Sequence, residues 1–91
     1  MQFEWNHNKA VGNLKKHGIS FREAVGCFYN SIQVAFLDPE CSEGEYREIM
    51  IAYSRAGRLL LVVYTLREQV IRIISARLAT KREARAYAER I

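Results

Sequence analysis

The chain is poor in the residues that mark special chemistry: among 91 residues there are two cysteines, two histidines and one proline. Cys27 and Cys41 are too few for a disulfide framework, and no CxxC pair exists. The separated histidines and cysteines also lack the spacing of metal ligands, so neither a metal nor another cofactor is expected. Long apolar runs are missing as well. The longest, Leu59 to Tyr64, has the length of a strand and not of a membrane span. The opening Met1-Gln2-Phe3-Glu4-Trp5 lacks the basic-then-apolar pattern of a secretory signal, which with reduced thiols as the default points to the cytoplasm.

What is present is an ordinary globular composition, 49% apolar and 26% charged, enough for one modest core and one domain spanning residues 1–91. The formal net charge of +4 hides a separation of sign. Residues 55–91 hold Arg55, Arg58, Arg67, Arg72, Arg77, Lys81, Arg82, Arg85 and Arg90 against only Glu68, Glu83 and Glu89. Residues 38–48 run the other way, with Asp38, Glu40, Glu43, Glu45 and Glu48 against Arg47. A basic face for a polyanion and an acidic loop directed elsewhere are the expectation.

The periodicity predicts a short strand at Phe3 to Trp5, then a helix from His7 to His17 with Asn6 as N-cap and Gly18 as terminator. Ala10, Val11 and Leu14 are expected inward, with Lys9, Asn13 and Lys16 on another face. Ser20 and Glu23 have the spacing of a capping box for a second helix, whose apolar stripe is Phe21, Ala24, Val25 and Phe28. From residue 31 the period becomes extended. Ile32 to Leu37 reads as a strand, Asp38-Pro39-Glu40 as a turn, and Glu45 to Tyr53 as a strand with Arg47, Ile49, Ile51 and Tyr53 on one side. After a turn at Arg55-Ala56-Gly57, Leu59 to Leu66 is apolar on both faces and belongs in the middle of the sheet. Val70 to Arg77 continues the meander, and Thr80 with Glu83 opens a last helix that buries Ala84, Tyr87, Ala88 and Ile91. The fold class is α+β: an antiparallel sheet of four to five strands with two N-terminal helices and one C-terminal helix.

Four separated blocks carry a resemblance: Phe3-Glu4-Trp5-Asn6-x-Asn8-Lys9, Asn13-Leu14-x-Lys16-His17-Gly18-Ile19-Ser20-Phe21-x-Glu23-Ala24, Gly57-Arg58-Leu59-Leu60-Leu61-Val62-Val63-Tyr64-Thr65 and Arg72-Ile73-Ile74-Ser75-Ala76-Arg77-x-Ala79-Thr80-x-Arg82-Glu83. In this order they resemble the BrnT family of bacterial toxins, over nearly the whole chain. The resemblance implies a ribonuclease of RelE-like fold that acts on RNA and is held inactive by a cognate BrnA-type antitoxin, which also supplies DNA binding to the complex. Asn6 stands where the family usually has Asp, which keeps the N-cap, and Cys41 stands where members often have His.

Cleaving RNA without a metal needs a base for the 2′-hydroxyl proton, cations for the charge of the transition state and an acid for the leaving oxygen. Arg58, Arg72 and Arg77 can supply the cations, because guanidinium forks match phosphate geometry and stay charged. In a strand that otherwise reads as buried, each must reach solvent, a carboxylate or a ligand, since a desolvated unpaired charge costs several kcal/mol on the order of magnitude. Arg72 and Arg77 are five apart, so an unbroken strand would put them on opposite faces, and only a bulge or a strand end near Ser75 brings them together. The alternative for either is an ion pair with Glu83 or with the acidic loop. His17 is the candidate acid or base, and its alternative is to cap carbonyls at a helix end. Lys16 and Lys9 are candidate phosphate contacts or plain solvated lysines, and the expected catalytic set is His17, Lys16, Arg72, Arg77, Glu83 and Tyr87, with Lys9 and Arg58 binding substrate. His7 reads as solvent-exposed. Trp5 and Tyr87 could stack on a base or donate a proton, but both have an easier account as core aromatics, Tyr87 lying on the apolar stripe of the last helix. A binding or protein-interaction module without catalysis would show the same basic face.

Overall fold

A computed structural model of the chain describes residues 1–39 and 46–91. Cys41, the end of the Asp38-Pro39-Glu40 turn and the acids Glu43 and Glu45 lie outside the described residues. The elements are β1 (Gln2–Glu4), α1 (His7–His17), α2 (Phe21–Cys27), β2 (Val34–Leu37), β3 (Arg47–Tyr53), β4 (Leu59–Arg67), β5 (Val70–Leu78) and α3 (Lys81–Arg90). The strands form one five-stranded sheet in the order β1-β5-β4-β3-β2. The pairs from β2 to β5 are antiparallel, as the meander predicts. The sheet as a whole is mixed, because β1 pairs parallel with β5. With α1 and α2 crossing between β1 and the meander, the first strand can return to the far edge in the same direction as β5.

The helix boundaries follow from their caps. The Asn6 side chain accepts the Lys9 N–H at 3.1 Å, and Gly18 closes α1 in the left-handed region at φ 70°, its N–H donating to the Leu14 carbonyl. Thr80 and Glu83 form a complete capping box at α3. At α2 the box is half made. Ser20 Oγ accepts the Glu23 N–H at 3.1 Å, while the Glu23 carboxylate turns away to Arg58 and Ser54.

β4 lies at the centre, and its two faces serve two cores. On one side Leu60, Val62 and Tyr64 join Met50, Ala52, Ile71, Ile73 and Ala76 beneath Ile19, Phe21, Ala24 and Cys27 of the α1–α2 layer. On the other, Leu61 and Ile51 form a smaller cluster around Tyr87 of α3. Burying a large apolar side chain such as Phe21 or Leu60 contributes about 1.5–3 kcal/mol, so the first core dominates stability.

Three expectations about faces are corrected. α1 turns Asn13 inward and leaves Val11 and Leu14 exposed, because the Asn13 amide finds three backbone partners in the core. Ala88 of α3 and Ile91 just after it are exposed, since the helix touches the sheet mainly through Tyr87, with Ala84 half-buried. β2 begins at Val34 and not at Ile32, whose N–H is taken by the Asn30 side chain and whose side chain faces solvent.

Candidate functional site

The decisive local feature is in β5. Val63 faces Ser75 and the next residue, Tyr64, faces Ile73, so Ile74 is an extra residue in the ladder. Because of it, Arg72 stands opposite Thr65 and Arg77 opposite Leu61. Thr65 and Leu61 are four apart on one strand and share a face. The bulge therefore places Arg72 and Arg77 on the same side of the sheet, away from α1 and α2, about 13 Å apart at the usual strand rise.

Around them the register assembles a surface from all five strands. One row across the sheet reads Arg47, Thr65, Arg72 and Glu4, and the next reads Phe36, Ile49, Val63 and Ser75. Beyond these, Tyr87 of α3 covers Ile51 and Leu61. The first two rows are thus a sheet face not covered by α3, carrying Arg47, Arg72 and the partly exposed Ser75 hydroxyl, with Thr65 buried between its neighbours. At its β1 end Glu4, Thr65, Arg67, Glu68, Val70 and Arg72 line a cavity of about 240 Å³.

Each of the three expected cationic arginines holds a carboxylate. Arg72 Nη1 donates to Glu4 at 2.6 Å, both side chains being about half exposed. Arg77 grips Glu83 with both terminal nitrogens, at 2.8 and 2.9 Å, and Nη1 also reaches the Leu78 carbonyl at 3.2 Å. These Arg77 hydrogen bonds, helped by the Thr80 N–H, hold the Glu83 carboxyl down to about 2. Arg58 lies elsewhere: it reaches α2 on the other side of the sheet, where Nε donates to Glu23 at 2.9 Å, Nη2 bonds the same carboxylate, and Nη2 also meets the Gly18 carbonyl at 3.4 Å. The Arg58 hydrogen bond, seconded by Ser54 Oγ at 2.7 Å, holds the Glu23 carboxyl below its ordinary range. Arg47 pairs with Asp38 at 3.7 Å.

His17 and Lys16 end α1, in the layer on the opposite side of the sheet from Arg72 and Arg77. His17 is half-buried, and its ring makes no hydrogen bond to a described residue, so it caps no carbonyl. Lys9 and Lys16 are exposed. Tyr87 is a core aromatic: its ring packs edge-on to Tyr53 and its hydroxyl donates to the Ile32 carbonyl at 2.9 Å. Burial, with Tyr53 beside it, raises its hydroxyl above the ordinary phenol value. Trp5 packs edge-on to Phe21 against the first core. Among the described residues no group of three or more potential ligands could hold a metal ion, and no helix is long and apolar enough to cross a membrane.

The sequence profile of the family described as "Ribonuclease toxin, BrnT, of type II toxin-antitoxin system" matches residues 5–83. The chain belongs to the BrnT family. The fold agrees with that assignment: the crystal structure of the Brucella abortus ribonuclease toxin BrnT superposes with a TM-score of 0.64 at 20% identity, covering 89% of this chain and 99% of that one. No curated protein sequence matches. Membership makes the chain a ribonuclease toxin of a type II toxin–antitoxin system by family, and an antitoxin partner and an RNA target follow from that class.

Sequence reasoning missed Glu4, Thr65, Ser75 and Arg47 as members of the arginine face. Alternation alone puts Arg47 on the correct side of its strand. Nothing in the linear sequence could join it to Thr65 and Arg72, because that row exists only once the register is known.

Proposed function

We propose that this chain cleaves RNA on the open sheet face, without a metal, and so blocks translation in the cytoplasm until a cognate BrnA-type antitoxin covers it. The observation that carries the reading is the bulge at Ile74, which turns Arg72 and Arg77 to one face beside the Ser75 hydroxyl. With their backbone positions about 13 Å apart and their side chains directed to Glu4 and to Glu83, the two arginines suit two phosphates along a strand better than one phosphate held between them. Phosphate oxygens take the place of the half-exposed Glu4 on Arg72, while Arg77 keeps Glu83 and offers phosphate the N–H groups that Glu83 leaves free. The 2′-oxygen attacks the adjacent phosphorus, the 5′-oxygen leaves, and the products carry a 2′,3′-cyclic phosphate and a 5′-hydroxyl. Glu83, held at about 2, is a poor proton acceptor near neutral pH and serves to orient Arg77. Water takes the 2′-hydroxyl proton and returns one to the 5′-oxygen; His17 and Lys16, on the other side of the sheet from Arg72 and Arg77, are proposed as RNA contacts there. Past Glu4 no strand among the described residues borders the edge of β5, which Asn13 occupies at Ala76, and RNA passing over this edge reaches both layers. Lys9 and Arg58 then lie along the helical side as further phosphate contacts, and DNA is met only through the antitoxin complex.

A second reading, a polyanion-binding or protein-interaction module without catalysis, is favoured by one observation: Arg58, Arg72 and Arg77 all have carboxylate partners already. Expression in bacteria separates the two. The wild-type chain should arrest growth and fragment cellular RNA, and the soluble Arg72→Ala/Arg77→Ala variant should do neither. Growth arrest with intact RNA favours the second reading.

A further inference from the structure

β1 covers only Val70, Ile71 and Arg72 of the outer edge of β5. At Ala76 a side chain takes the place of the missing strand. Asn13 Oδ1 accepts the Ala76 N–H at 3.1 Å, and Nδ2 donates to the Ala76 carbonyl at 2.7 Å and to the Ile19 carbonyl at 2.9 Å. A carboxamide offers an acceptor and a donor in one plane, as a peptide group does, so it can pair with a strand residue as a neighbouring backbone would. Asn13 is 8% exposed, and both its amide hydrogens are used.

Ala76 is two residues past the bulged Ile74 and directly before Arg77. A bulge keeps its place only while the pairing on either side is fixed, because one residue of slip turns every following side chain to the other face. On the near side β1 fixes Val70 to Arg72. On the far side the outer edge is fixed by Asn13.

We infer that Asn13 is a positioning residue for the arginine face: its amide pins β5 beyond the bulge and so holds Arg77 on the side that carries Arg72. The inference rests on the reading of that face as the RNA site. Asn13 itself lies in the opposite layer and touches no substrate; it acts through Ala76 and Arg77.

Two variants of the full chain test it. Asn13→Leu removes the donor and the acceptor together. Asn13→Asp keeps the acceptor but points a carboxylate at two carbonyl oxygens, and protonation returns one donor. At a temperature where each variant is fully folded, Asn13→Leu should lose about tenfold or more in kcat with KM within about threefold, since bound RNA is held but misaligned. Relative to wild type, Asn13→Asp should be poor near pH 8 and recover as the pH falls toward about 5.5, where the buried carboxyl regains its proton. A folded Asn13→Leu variant that cleaves like wild type overturns the inference, as does an Asn13→Asp variant without pH recovery. NMR gives a readout independent of activity. The Arg77 Nε–H resonance and the Ala76 amide should shift and lose exchange protection in either variant at neutral pH, while Ala35 on β2, three strands away, is unchanged. If wild type does not cleave RNA, the functional reading fails, and an unmoved Arg77 resonance would separately overturn the role of Asn13.

Discussion

Glu83 Oε1 accepts the Arg77 Nη1–H at 2.8 Å and the Thr80 N–H at 2.9 Å, while Oε2 takes Arg77 Nη2–H at 2.9 Å. One carboxylate thereby caps α3 and fixes the guanidinium of β5. The helix and the arginine face are tied at a single residue.

That arrangement predicts a pH dependence. The folded Glu83 carboxyl sits at about 2 against an ordinary 4.5, so its stabilisation is complete above the unfolded value and is lost as the pH falls from about 4.5 toward about 2. A shift of this size is about 3 kcal/mol at full strength, and solvent screening around a side chain that is 26% exposed reduces it to about 1–2 kcal/mol. Denaturant unfolding of wild type and Glu83→Gln should differ by that amount at pH 6 and converge toward pH 2.5. A difference that does not change with pH would show that the carboxylate's charge is not what matters.

Tyr87 is the other attachment of α3, packed on Ile51 and Leu61 with its hydroxyl on the Ile32 carbonyl. Tyr87→Phe should cost about 1 kcal/mol, the net worth of one hydrogen bond. Tyr87→Ala should cost about 3–5 kcal/mol and release the helix. Amide exchange checks both: in Tyr87→Ala, residues of α3 should lose protection while β4 keeps it.

Much of this fold can be read from the chain because its start and stop signals are local. Asn6, Ser20 and Thr80 cap the helices that their spacing predicts, and Gly18 ends α1 where an αL residue is needed. What could not be read depends on register. Asn13, at helical spacing from Lys9 and Lys16, looks like a solvated residue until Ala76 is known to lie beside it. Arg72 and Arg77 look like residues of opposite faces until Ile74 is seen to be extra. The parallel return of β1 leaves no mark in three residues of strand.

Arg72 and Glu4 form a half-exposed pair, which contributes at most about 1 kcal/mol to stability. Arg72→Ala should therefore melt within a few degrees of wild type yet lose about 10²–10³ in RNA cleavage rate, the typical effect of removing one charge-stabilising donor. Paired calorimetry and single-turnover assays check this. A variant that unfolds would assign Arg72 a structural role.

The antitoxin should meet the same surface. An inhibitor offering carboxylates where RNA offers phosphates associates faster at low salt. Stopped-flow association with the cognate antitoxin should slow steeply with added salt, and again when Arg72 and Arg77 are neutralised together. An on-rate indifferent to both would place the antitoxin elsewhere.

The central claim is cleavage of RNA at the arginine face without a metal, and it meets its most direct test in purified protein with end-labelled RNA and excess EDTA. Wild type should cut, leaving 2′,3′-cyclic phosphate ends, and folded Arg72→Ala/Arg77→Ala should not. Activity that vanishes in EDTA and returns with magnesium, or a folded double variant that cuts like wild type, would contradict the account.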